Sequence, residues 1–460
     1  MNTHCRSRTK WILALAMLLG LTVAPVRAAW GTTLVPMRDA DLVRTSALIL
    51  VGTVRHLEAV ALPDGRIVTE VTLTVERFVK GRVRGRKVVV TVPGGQVGDR
   101  IARVFGAPRF TRGERALVFL KRTPEGRLRT NALALGKYRV ESGPDGRLRA
   151  RRRVPRTDLR HLDRFLARLD RLAAGAPAER LPNGRAAHGA AAVARADVDR
   201  FTYMGGSPYR WFTDTVTFRV ANADSGLGAV ATNGAVTAAM AAWTNVAASA
   251  VVLQTGAGTA IAPSIAGGTC DGVSTIQFDD PYSEVQDFTN CSGVLAIGGI
   301  CSSGETMVVN GLTVHRVIEG DVTMNNGLGT CFGATNAAET LTHEIGHAIG
   351  FGHSTDANAT MYAWAHFDGR GAVLGTDDVA GASTLYPSSI GTTSTSTSTS
   401  TSTSTSTSTS TSTSTSTSTS TSTSRTTSTS WTTSTSSSTS TSSSSGSSST
   451  STSSSSTSSS

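Results

Sequence analysis

Between residues 29 and 269 the chain, 460 residues long, has no cysteine. Of five in total, Cys5 sits in the first few residues, and Cys270, Cys291, Cys301 and Cys331 fall within one later stretch. Any disulfides are therefore confined to that stretch. Four cysteines without a CxxC pair predict two bridges in one of three pairings, and an oxidising compartment. Aromatic residues are scarce, at 5%. With no recognised nucleic-acid motif, this argues against a nucleic-acid partner for a chain of net charge +11. Beyond Val23 no apolar run is long enough to span a bilayer, so no membrane span is expected after signal removal. Residues 390–460 lack almost everything but Ser and Thr, which from residue 391 on are broken by Gly391, Arg425, Trp431 and Gly446. Such a segment cannot bury a core and is expected to be a disordered tail, either a stalk or spacer or an inert expanded repeat.

The charge is unevenly spread. Residues 29–200 hold 35 Lys+Arg against 17 Asp+Glu, whereas residues 201–390 hold 4 against 16. The expectation is that the basic N-terminal half docks on the acidic half of the same chain rather than on nucleic acid or membrane, with two independently solvated surfaces as the alternative. At the N-terminus, Arg6, Arg8 and Lys10 precede the apolar run Trp11 to Val23, and Val26-Arg27-Ala28 offers small residues at a cleavage site. Residues 1–28 read as a signal peptide, and the product as secreted, extracellular or at the cell surface.

Residues 29–150 read as a β-rich domain. SALILVGTV, RIVTEVTLTVERFV, KVVVTV, ALVFLKR and KYRV are rich in β-branched residues and are separated by the turn signals PDG, PGG and PDG. The second run alternates, with one slip near Glu70 that fits a bulge. An antiparallel barrel or sandwich is the natural outcome. His56 stands alone and reads as structural or exposed. Leu159, Leu162, Phe165, Leu166, Leu169 and Leu172 then fall on one helical face over 157–173, with Thr157 as N-cap. Residues 174–200 are rich in Ala, Gly, Pro and Arg; 151–200 reads as a basic helix and linker.

The chemistry lies in HEIGHAIGFGHS, from His343 to Ser354. His343 and His347 are four apart and share one helical face, where two neutral imidazoles can chelate a single Zn²⁺. Glu344 stands beside that face, where a carboxylate can take a proton from water. Gly350 permits a turn closed to residues with a Cβ, and the returning chain can offer His353 as third ligand. Three protein ligands and an open fourth position make a catalytic zinc site.

This string fits HExxHxxGxxH, the pattern of the metzincin metalloproteases. Ser354 after the third His, Met361 in NATMYAWAH and the segment TDDVAGASTLYP make residues 336–387 resemble the matrixin family, with a fainter likeness back to about residue 208. The resemblance implies an α+β metzincin catalytic domain over 201–389, with a twisted mixed sheet, active-site helix, Met-turn and closing helix. It implies one catalytic zinc on His343, His347 and His353, Glu344 as general base, and Met361 as an apolar floor beneath the imidazoles. It also implies that an acid of the Asp377–Asp378 pair can meet a freed N-terminus. Matrixins bind structural Ca²⁺ near the stretch holding Asp271, Asp279, Asp280, Glu284 and Asp287. No loop signature is recognisable there, so Ca²⁺ and solvated loop acids both stay open. The family's propeptide cysteine is missing, and latency would need another route, for which the basic half is the candidate.

Asn336 and Glu339 match the capping-box pattern N-x-x-E at the start of the ligand helix. His366 reads as exposed. The function implied is a secreted zinc-dependent endopeptidase acting on protein or peptide substrates. The alternative is a surface adhesion protein with an idle metzincin module on a Ser/Thr stalk, against which the intact Glu344 argues.

Overall fold

The β-branched runs of the first half form long strands in the computed structural model, which describes residues 33–152, 158–177, 200–221, 224, 226–258, 270–280 and 285–388. The expected signal peptide, Thr157, most of the 174–200 linker, Glu284 and the Ser/Thr tail lie outside these residues.

The first half runs β1 (Leu34–Val35), α1 (Asp39–Thr45), β2 (Leu48–Ala61), β3 (Ile67–Lys80), β4 (Lys87–Pro93), β5 (Gly95–Val97), β6 (Arg100–Val104), β7 (Arg115–Arg122), β8 (Leu128–Thr130), β9 (Lys137–Ser142), β10 (Leu148–Arg152), β11 (Asp158–His161) and α2 (Leu162–Ala173). One sheet has the order β11-β10-β9-β7-β2-β3-β4-β8, and β8 also pairs with β7. Strands β2, β3, β4, β8 and β7 thus close on themselves around Leu50, Val54, Val71, Leu73, Val90 and Val118. Alternation along each strand places these residues on one face, where their burial drives closure. Helix α2 buries Leu162, Phe165, Leu166 and Leu169 against the outer side, with Tyr138 and Ala150.

Two local expectations need correction. The helix does not reach back to residue 157: Asp158–His161 is an edge strand paired with Arg149–Arg152, and the helix begins at Leu162. Backbone pairing across the edge satisfies donors that a first helical turn would leave open. Nor does β3 bulge at Glu70, which pairs in register with Glu58; the shifts lie between Ile49 and Leu50, Val51 and Gly52, and Val54 and His56.

The second half contributes β12 (Tyr209–Trp211), β13 (Thr215–Val220), α3 (Ala229–Thr244), β14 (Val252–Thr255), β15 (Thr275–Gln277), β16 (Gly293–Val294), β17 (Ala296–Val309), β18 (Leu312–Met324), α4 (Leu328–Cys331), α5 (Ala334–Ala348) and α6 (Thr376–Leu385). Its twisted mixed sheet follows the order β14-β13-β15-β18-β17. The pairs β14–β13, β13–β15 and β15–β18 are parallel, and β17 is antiparallel to β18. Helices α3 and α5 cover one face. Trp243 of α3 is fully buried, stacks on Phe351 with ring centroids 5.2 Å apart, and donates its indole N–H to Thr342 O of α5 at 2.8 Å. Helix α5 lies directly on the sheet, since a Cβ at Gly298 or Gly320 would run into Glu344 O at 2.5 Å or Ala348 O at 2.7 Å. The cysteines pair as Cys270–Cys301 and Cys291–Cys331, a choice the sequence left open. Among the described residues no helix is long and apolar enough to cross a membrane.

The sheet of the second half does not end at β17. The hairpin β5–β6 leaves the barrel and adds β6 antiparallel to β17, with Ile101 to Val104 opposite Ser302 to Gly299. Further along the same edge β1 pairs antiparallel with β16, Leu34 opposite Val294.

Candidate metal centre

Helix α5 begins about two and a half turns before His343, and its start differs from the expected capping box. Gly333 is the N-cap, and Asn336 Oδ1 accepts the Gly333 N–H at 3.3 Å. Glu339 faces inward instead. Its carboxylate accepts the backbone N–H groups of His366 (2.7 Å) and Phe367 (3.1 Å) and lies 3.0 Å from His366 Nδ1. His366 is accordingly not an exposed spare. Its side chain is 9% exposed, held by Glu339 and by Ala357 O at 2.8 Å from Nε2.

The structure brings His343, His347 and His353 together, with one nitrogen of each within 4.8 Å of the others. All three are buried. Among the described residues this is the group of at least three His, Cys, Asp or Glu able to hold an ion. Helical spacing aligns the first two. The third arrives because the chain reverses at Gly350, whose φ is +105° and where a Cβ would overlap Tyr209 O. His343 Nδ1 meets Thr360 O at 2.6 Å, and His347 Nδ1 meets Phe351 O at 2.8 Å. Carbonyls accept only, so both Nδ1 atoms carry the proton and both Nε2 atoms present lone pairs. Burial lowers the pKa of His343 to about 4 and that of His347 well below its ordinary value, which keeps both rings neutral.

Does this donor set fit a divalent metal? His347 Nε2 is buried with no hydrogen-bond partner, and His343 Nε2 and His353 Nε2 are only 2.8 Å apart. Neutral imidazole nitrogens gathered away from water, one of them unsatisfied, suit a borderline-soft cation such as Zn²⁺.

Glu344 is fully buried beside the three rings. Burial raises its pKa to about 7, against hydrogen bonds that favour the charged form. Its Oε2 has no partner, whereas Oε1 accepts the N–H of Thr33 at 3.0 Å and its hydroxyl at 2.6 Å. Phe105, just past β6, lies flat on His347 with centroids 3.7 Å apart and planes within 3°. Neither Thr33 nor Phe105 was singled out from the sequence. Both lie in apolar or uncharged runs with no motif, and their placement depends on pairing with strands distant in the chain.

Met361 is buried under α5 against Gly346. Asp378 holds the turn in place by accepting the N–H groups of Thr360 (2.6 Å), Met361 (3.0 Å) and Gly375 (2.8 Å). Asp377 accepts the Arg200 N–H at 2.7 Å and the Ser354 hydroxyl at 2.5 Å. Three of the acids considered for Ca²⁺ accept hydrogen bonds from neighbouring groups. Asp271 accepts the Val273 N–H, Asp280 the Val285 N–H, and Asp287 the Asn326 side-chain amide. They form no metal cluster among the described residues.

Residues 210–387 match the profile of the matrixin family. The chain is 46% identical to human matrilysin over 46 residues, which is 10% of this chain and 17% of matrilysin. It is 28% identical to human matrix metalloproteinase-20 over 193 residues, 41% of this chain and 35% of that protein. The chain therefore spans about a third or less of the length of these relatives.

Proposed function

Because residues 210–387 form a matrixin-like metalloprotease catalytic region, we propose that the chain is an exported zinc-dependent endopeptidase that hydrolyses peptide bonds in protein substrates. One observation carries this reading: three buried imidazoles converge within 4.8 Å beside a fully buried carboxylate. His343, His347 and His353 would hold the zinc, which would supply Lewis acidity towards the scissile carbonyl and towards water. Glu344 is the general base. It takes a proton from the attacking water and passes it to the departing amine. A pKa raised towards 7 by burial suits this double duty, because the group can both gain and lose a proton near neutrality. Met361 is a positioning residue, packed under the helix that carries two of the ligands.

Zinc analysis and a peptide-library digest test this, run before and after limited trypsin treatment. The expected outcome is one zinc per chain, lost on His347→Ala. Cleavage should vanish with a chelator and with Glu344→Ala, while the Glu344 variant keeps its metal. Equal cleavage by wild type and Glu344→Ala would remove the carboxylate from the mechanism. Stoichiometric zinc without any cleavage would favour an idle module used for binding.

A further inference from the structure

Two separate pieces of the first half reach the metal centre, along one sheet edge. Residues 101–104 pair antiparallel with β17, and Phe105 N–H continues the ladder to Gly298 O at 3.0 Å. Residues 34–35 pair antiparallel with β16, and Thr33 O accepts the Leu295 N–H at 3.0 Å. Because β16 and β17 follow one another in the chain, both pieces run in the same direction along the edge. On its other side Leu34 is also bonded, donating to Ala363 O (3.2 Å) and accepting from Ala365 N–H (3.3 Å).

Between Phe105 and Thr33 the line is interrupted, and the interruption falls at the reactive corner. On one side the Phe105 ring covers His347, and on the other the Thr33 N–H and hydroxyl occupy Glu344. An extended peptide recognises an open sheet edge through its backbone. These two pieces take the positions that the two halves of such a peptide would take. They are far apart in sequence, so no peptide bond joins them at the gap. They resemble a substrate with nothing to cut.

We propose that the N-terminal domain is a built-in inhibitor of this site, and that the chain stays latent until residues 33–35 and 101–105 leave the β16–β17 edge. This inference rests on the peptidase reading of the site and specifies its regulation. It supplies a route to latency without a thiolate, in keeping with the absence of cysteine from residues 29–269. Apolar side chains hold the pieces down. Phe105 packs with Met204, Tyr209, Ile300 and Val317, and Leu34 with Val294 and Ile297.

The test uses the zinc-loaded full chain and a fluorescent peptide hydroxamate, which reports access to the metal without turnover. Thr33→Ala/Phe105→Ala should bind the probe on the order of tenfold more tightly than wild type, since a hydrogen bond to a charged group and a ring contact are removed from the competing state. Equal binding, or no binding by either protein, overturns the proposal. If the variant does not fold, amide exchange on wild type decides. Phe105 and Leu34 amides should be protected, and saturating hydroxamate should release them; free exchange without the probe overturns the proposal. Probe binding that rises in the variant while no peptide is cut leaves the inhibition standing and removes the endopeptidase reading.

Discussion

Met361 Sδ lies so close to Gly346 that a β-carbon there would overlap it, and the same carbon would fall 2.7 Å from Trp243 Cζ2. The ligand helix, the Met-turn and the tryptophan of the neighbouring helix therefore meet at a point with room only for hydrogen. Gly346 lies between His343 and His347, so pressure at this point is transmitted to both ligands. In an open helix, Gly→Ala stabilises by about 1 kcal/mol. Overpacking a closed core costs about 1–3 kcal/mol, and here the clash involves a sulfur and an indole that are themselves buried. Gly346→Ala is expected to lower the melting temperature and weaken zinc retention against a chelator. A raised melting temperature would show that the contact is loose.

Glu339 and His366 form a second clamp. The buried carboxylate fixes two backbone N–H groups and one imidazole of the segment after the Met-turn. Glu339→Ala leaves these donors without an acceptor inside the protein. Each buried donor left unsatisfied costs about 1–3 kcal/mol. The variant is expected to melt earlier and to be nicked by protease between residues 362 and 370, read by mass spectrometry. Unchanged cleavage and melting would mean that water replaces the carboxylate freely.

Much of the metal centre could be read from spacing alone. A spacing of four from His343 to His347 brings them onto one helical face whatever surrounds them, and Gly350 marks the reversal because its φ is closed to other residues. Strands β2, β3, β4 and β7 announced themselves as β-branched runs between turn signals, β3 by alternation as well. What could not be read was pairing between distant segments. GQVGDRIARVF contains β5 and β6, but nothing local says that Ile101–Val104 abandons the barrel for β17. The same holds for Thr33, whose hydroxyl is one of many until β1 is placed beside β16. Asn336 and Glu339 matched a capping pattern, yet the buried clamp on His366 took Glu339. A local propensity worth about 1 kcal/mol yields to a buried carboxylate that satisfies two backbone N–H groups and one imidazole.

The Asp378 carboxylate gives a pH signature. Burial raises its pKa to about 6, only partly offset by the N–H groups of Met361, Thr360 and Gly375. An acid that binds its proton more tightly when folded adds most to stability below its ordinary value near 4. That contribution fades as pH rises towards 6 and is gone above it. The span corresponds to on the order of 2–3 kcal/mol. Urea melts of metal-free protein at pH 4 and pH 7 should show this loss. In Asp378→Asn the slope should shrink, with lower stability at both pH values because the amide accepts fewer N–H groups. An unchanged slope would assign the pH dependence to other groups.

The two halves of the chain carry opposite charge, but the contact at the metal centre is made by backbone pairing and apolar packing. The two causes of association differ in salt. Where the Debye length falls to about 3 Å, near 1 M salt, attraction between separated surface charges is lost, whereas burial of Phe105 and Leu34 is not weakened. Trypsin has cleavage sites at Arg180, Arg185 and Arg195, in the stretch whose composition reads as a linker. The nicked protein is expected to elute from a sizing column as one species at low and high salt, and to exclude the hydroxamate in both. Pieces that separate only at high salt would make charge the glue and the strand pairing secondary. Pieces that separate at low salt as well would mean that the covalent link, rather than the β16–β17 edge, keeps the domain in place.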